Sequence, residues 1–69
     1  MSPLTRALQH PRRVLIQNHM MQAGEAVLPR EIAEALGLGT AAVKYHLRTL
    51  IAANAPLAFD TQGRARRIG

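Results

Sequence analysis

Pro3, Pro11, Pro29 and Pro56 are spread along the whole 69-residue chain, and no helix can run through any of them. Proline lacks the amide donor and its ring clashes with the preceding turn, so helices accept it only where they begin. The chain is thereby cut into short elements. Ser2 is placed to cap a helical stretch that opens on Pro3 and reaches about Gln9. His10 and Pro11 break and restart it. Ile16, Met20 and Ala23 then recur at helical spacing over residues 11–23, with Gly24 fit to close the end in a left-handed conformation. Residues 25–28 are too few for another helix, and Val27 and Leu28 suit a small strand. Pro29 opens the next helix, and Glu31 lies in its first turn, where the helix dipole favours an anion. Ile32, Ala33 and Leu36 form its apolar face and Gly37 ends it, although Leu28 at the cap position has no side-chain acceptor.

The stretch GLGTAAVKYHLRTL, residues 37–50, follows. Gly39 or Thr40 can cap a helix over residues 40–53, in which Val43, Leu47, Leu50 and Ile51 make one buried stripe. At about 100° per residue, Tyr45 points away from that stripe, with Ala41, Ala42, Arg48 and Thr49 beside it and Lys44 and His46 on the flanks. His46 reads as a partly buried histidine bonded to backbone. Asn54 tolerates the left-handed conformation that ends a helix, and Pro56 prevents continuation. Residues 57–69, LAFDTQGRARRIG, read as a hairpin with Gly63 in the turn and Arg64, Arg66 and Arg67 along the returning strand. A lone hairpin is marginally stable, so this one must lean on the helices or pair with Val27. The expected fold class is mainly α with a small β-hairpin, in a single domain over residues 1–69.

Aliphatic residues must supply the core, because Tyr45 and Phe59 are the only aromatics apart from histidine. A chain of this size buries only about 60% of its unfolded surface. The absence of cysteine excludes a disulfide framework, thiolate ligands and a cysteine nucleophile. His10, His19 and His46 have no metal-ligand spacing, four scattered carboxylates and the single Ser2 offer no catalytic constellation, and no phosphate-cradling glycine loop is present. The chain is expected to be no enzyme and to use no cofactor or metal. No apolar run is long enough to span a membrane, and MSPLTRALQH lacks the apolar core of a signal peptide, so a cytoplasmic location is expected. Net charge is +5 and unevenly spread: residues 1–39 hold four arginines against three glutamates, whereas residues 40–69 hold five cations against Asp60 alone. Such segregation points to a polyanionic partner. Met20 and Met21 read as core or interface filler. Arg12 and Arg13 read as a solvated helix start, with contact to a DNA backbone as the alternative. Leu15 with Met21 forms an exposed patch for a partner or is buried under the N-terminal segment.

The pattern HPRRVLIQNHM, then REIAEALGLGTAAVKYHLRTL, then a basic hairpin around Gly63 and Arg64 resembles winged helix-turn-helix proteins, in particular ArsR-type transcriptional repressors. The resemblance covers about residues 4–68 and is most specific at Glu31, Ile32, Ala33, Leu36, Gly37, Leu38, Val43, His46, Leu47 and Leu50. It implies a three-helix core plus wing, with the helix-turn-helix at about residues 29–54 and the wing at about 57–68. The recognition helix, residues 40–53, is expected in the major groove, and residues 60–68 on the backbone or minor groove. Thr40, Ala41, Ala42, Lys44 and Tyr45 fall where such proteins approach bases or phosphates, and Gly63 and Arg64 at the wing tip. The candidate DNA-binding set is Thr40, Ala41, Ala42, Lys44, Tyr45 and Arg64 from these positions, with Arg48, Thr49, Gln62, Arg66 and Arg67 read from charge and face. Metal-sensing members carry cysteine pairs on the recognition helix, a route closed to this chain. Leu28 and Gly39 stand where the family often has Ser or Thr, and Asn54 and Ala55 where it has Gly-Leu. The expected function is a sequence-specific double-stranded DNA-binding regulator, a repressor, pairing as a homodimer through its N-terminal helices. The alternative is a winged-helix adaptor that binds an acidic protein.

Overall fold

A computed structural model describes residues 1–69. Three of the four helices start on a proline: α1 (Pro3–Ala7), α2 (Pro11–Gln22) and α3 (Pro29–Leu36), followed by α4 (Thr40–Ala52) and an antiparallel hairpin of β1 (Leu57–Phe59) and β2 (Ala65–Arg67). The expected class, mainly helical with a small hairpin, is the observed one. Ser2 caps α1 as expected, its Oγ accepting the Thr5 N–H at 3.0 Å. The helix is shorter than expected, however. It closes at Ala7: the Leu8 amide still bonds the Leu4 carbonyl at 2.9 Å, but that of Gln9 turns back to the Arg6 carbonyl at 3.2 Å and tightens the last turn.

Helices α3 and α4 end in the same way with different residues. Gly37 (φ 67°) and Asn54 (φ 70°) adopt the left-handed conformation, and the next amide returns to the last turn, Leu38 N–H to the Ala33 carbonyl and Ala55 N–H to that of Leu50, both at 2.9 Å. Helix α2 does not end so. Ala23 is extended (φ −70°, ψ 128°) and Gly24 does not take a positive φ, against expectation. The chain there must run on to Val27, and Arg67 of β2 caps the helix by donating from Nη1 to the Met21 carbonyl.

At the start of α3, Glu31 replaces the missing side-chain cap from the other direction: its Oε1 accepts the Leu28 N–H at 2.9 Å. The expected strand at Val27 and Leu28 contracts to a single bridge, because Leu28 is already committed as the cap of α3. Val27 exchanges both backbone bonds with Ala65, at 2.8 and 2.7 Å, and so fixes the hairpin to the segment between α2 and α3.

One core joins these elements. Val43, Leu47 and Leu50 of α4 are fully buried against Ile16 and Met20 of α2, Ile32 of α3, Leu57 of β1 and Ala65 of β2, with Ala7 of α1 at one end. Leu36 and Ile51, expected within the stripes, lie at its half-buried rim. Leu15 is 48% exposed, so the N-terminal segment does not cover it, while Met21 is half-buried. No helix is long and apolar enough to cross a membrane. Leu47 has no exposed surface, so Leu47→Ala opens a cavity within this core and is expected to cost about 2–5 kcal/mol. Urea titration checks this by a lowered midpoint at unchanged slope.

Candidate functional site

With its buried stripe turned inward, α4 leaves its leading end bare. Gly39 is the N-cap and supplies no side chain, and the first intrahelical bond runs from the Val43 N–H to the Gly39 carbonyl at 3.0 Å. The amides of Thr40, Ala41 and Ala42 therefore precede that ladder, as the first amides of any helix do, on three exposed residues. Thr40, Lys44 and Arg48 follow one another at intervals of four and share a face. Across from them stand Arg30, in the first turn of α3, and Gln62 and Gly63 in the hairpin turn. Together with Leu28, Pro29 and Phe59 these residues line an open groove of about 460 Å³. It holds three cationic side chains and no carboxylate. Of the candidate set, Thr40, Lys44, Arg48 and Gln62 come together here.

The hairpin arginines do not line up along one strand as expected. Asp60 organises the turn: its Oδ1 accepts the Gln62 and Arg64 amides, both at 2.9 Å, and its Oδ2 accepts from Arg64 Nε at 2.7 Å. Partial burial acts to raise the Asp60 pKa, but the bonds from Arg64 and Gln62 outweigh it and hold the carboxyl below its ordinary value. Arg64 is thus occupied by the nearest acid. Arg67, opposite Leu57 in the ladder, is turned back onto Met21. Strand alternation puts Arg66 on the other face, where it is exposed and bonded to no protein group. Three arginines in four positions have three different surroundings.

The other flank of α4 faces α2. Tyr45 is 59% exposed, as its direction predicts, and Arg13 of α2 stands over its ring at 5.7 Å. His46 is only 6% exposed, and its partner is a side chain rather than the expected backbone group: Nδ1 accepts from Arg13 Nε at 3.0 Å. In the middle of a helix the nearby backbone groups are already paired, so a buried imidazole must look to the next element. Burial lowers the His46 pKa, and the neighbouring charges of His10, Arg13 and Arg12 act in the same direction. The His10 ring lies 4.7 Å from it. Thr49 belongs to this flank too. Its Oγ1 donates to the Tyr45 carbonyl at 3.0 Å, and it lines a second groove with Arg6 and Arg13.

Ala41 and Ala42 remain exposed at the leading end of α4, and neither lines these two grooves. Arg30 and Arg13 were not among the expected residues. For Arg30 a signal was present in the sequence: a cation in the first turn of a helix opposes the dipole, and its placement there asks for another reason. Arg13 carried no such mark, because its partners lie 32 and 33 residues away. Comparison with family models, curated proteins and solved structures found no match for the chain.

Folded His46 binds its proton less readily than an unfolded histidine, whose pKa is about 6.5. Its contribution to stability is therefore full above about pH 6.5 and is lost as pH falls through the lowered folded value. Urea midpoints measured from pH 8 to pH 5 are expected to decline over the acid part of this range. In His46→Gln, which does not titrate, that part of the decline is expected to be absent.

Proposed function

We propose that the protein is a winged helix-turn-helix DNA-binding regulator, with α3 and α4 as the helix-turn-helix, α4 as recognition helix and the β1–β2 hairpin as wing. The observation that carries this reading is the groove shared by α4, the start of α3 and the hairpin turn, with Arg30, Lys44 and Arg48 in it and no acid to neutralise them. A helix with its side chains is about 10–12 Å across and a DNA major groove about 12 Å wide, so α4 can enter by its bare end. There the amides of Thr40 to Ala42 favour a phosphate, and the small side chains allow close approach. Lys44, Arg48 and Arg30 then meet one flanking strand, Tyr45 faces base edges or phosphate, and Arg66 reaches the backbone beyond the wing. Occupying a site is enough to exclude another protein from it, so repression is the regulation this surface can deliver unaided. Exposed Val14 and Leu15 on α2 suit pairing with a second copy, which makes the homodimer the assembly this reading expects.

Fluorescence anisotropy with a pool of random 30-base-pair duplexes tests it. If one chain neutralises about four phosphates, log affinity falls with log salt at a slope near −3.6. A subset of duplexes is expected to bind more tightly, with sedimentation in the same buffers giving the number of chains bound. Tyr45→Ala is expected to change which sequences are preferred. Arg66→Ala is expected to weaken all of them alike and flatten the slope by about one unit. Absence of binding even at low salt overturns the reading in favour of an acidic protein as partner.

A further inference from the structure

The DNA reading so far uses one side of α4. A second groove, of about 360 Å³, runs along the opposite flank between α1, the start of α2 and the C-terminal half of α4. Its cationic side chains are Arg6 and Arg13, the rest of its lining includes Met1, Pro3 and three alanines, and no carboxylate lines it. Arg6 is exposed and bonded to no protein group. Arg13 is held more firmly: Nε is fixed on His46 Nδ1 at 3.0 Å and the guanidinium lies over Tyr45. Its two terminal nitrogens have no partner within the protein. An arginine fixed at Nε still presents those donors, and a guanidinium so oriented suits a phosphate oxygen. Apart from Met1, the uncharged residues of the lining are small, which lets a bulky sugar–phosphate chain come close.

We propose that this groove receives the second phosphodiester strand of the same duplex, with Arg6 and Arg13 as its contacts. The inference rests on the DNA reading and extends it. A helix lying in a major groove has a phosphate strand on each side, and α4 has a cationic groove on each side: Arg30, Lys44 and Arg48 on one, Arg6 and Arg13 on the other. The two strands are thereby read as a pair. Thr49, which lines only the second groove, takes its place there rather than beside Lys44.

The test uses the tightest duplex selected from the random pool, with single phosphates replaced by neutral methylphosphonates along each strand in turn. Wild-type protein is expected to lose roughly tenfold in affinity at contacted positions on both strands, as charge-assisted bonds are removed. Arg6→Gln and Arg13→Gln are expected to bind more weakly and to become insensitive at positions on one strand only. Lys44→Gln is expected to become insensitive on the other, a pairing that a general loss of positive charge does not produce. Arg13 also joins α2 to α4, so Arg6→Gln, which breaks no bond within the protein, decides the matter if the Arg13 variant unfolds. Retention of full sensitivity on both strands by Arg6→Gln overturns the inference while leaving the DNA reading intact. Failure of the wild-type protein to bind any duplex overturns both.

Discussion

Val43, Leu47 and Leu50 occupy one side of a single helix, on which α1, α2, α3 and β1 all pack, while β2 is held in turn by β1 and α2. A chain this small has few large side chains to bury, and here the fully buried ones converge on α4 from α2, α3 and β1. That concentration has a geometric consequence. A helix buried along one stripe leaves the opposite side to solvent, and in α4 that side carries Ala41, Ala42, Tyr45 and Arg48. Orienting the core and presenting the outward surface are therefore one event in folding. The grooves on either side arise because α1 and α2 lean on one flank of α4 while α3 and the hairpin turn lean on the other.

Cations on this protein differ chiefly in what already holds them. Arg64 is paired with Asp60, which offsets its charge, whereas Arg67 donates one nitrogen to the neutral Met21 carbonyl and keeps its charge. Arg13 is held at one nitrogen and open at two. Arg6, Arg12, Arg30, Lys44, Arg48 and Arg66 have no hydrogen-bonded partner within the chain and are exposed. Net charge alone suggested a basic second half; the structure redistributes the free charge to both flanks of α4, with two contributors from the first half on one flank and Arg30 on the other.

What could be read from the sequence was whatever depends on near neighbours. Pro3, Pro11 and Pro29 open helices because of covalent geometry at those residues, Gly37 and Asn54 close them for a similarly local reason, and the α4 stripe follows from periodicity. The direction of Tyr45 came with that stripe. Misreadings occurred where a distant group intervened. Gly24 was expected to turn the end of α2, but Arg67, 46 residues on from Met21, caps that end instead. His46 was expected to find a backbone partner and found Arg13, 33 residues earlier. Arg64 is the exception, since an Asp four residues before it in a turn was visible and its tie is local. At the candidate site, Thr40, Lys44, Arg48 and Gln62 were legible together, whereas Arg30 and Arg13 depended on how helices cross.

The single bridge between Val27 and Ala65 bears on how such a chain can change by mutation. Ala65 contributes both of its backbone groups to Val27, and its methyl group has no exposed surface, so a larger side chain at this position has nowhere to go. Arg66, the very next residue, makes no bond to the protein and projects into solvent. A position that tolerates almost nothing thus sits beside one that tolerates almost anything. Through the second, drift can retune the charge of the hairpin step by step, while the first keeps the hairpin where it is.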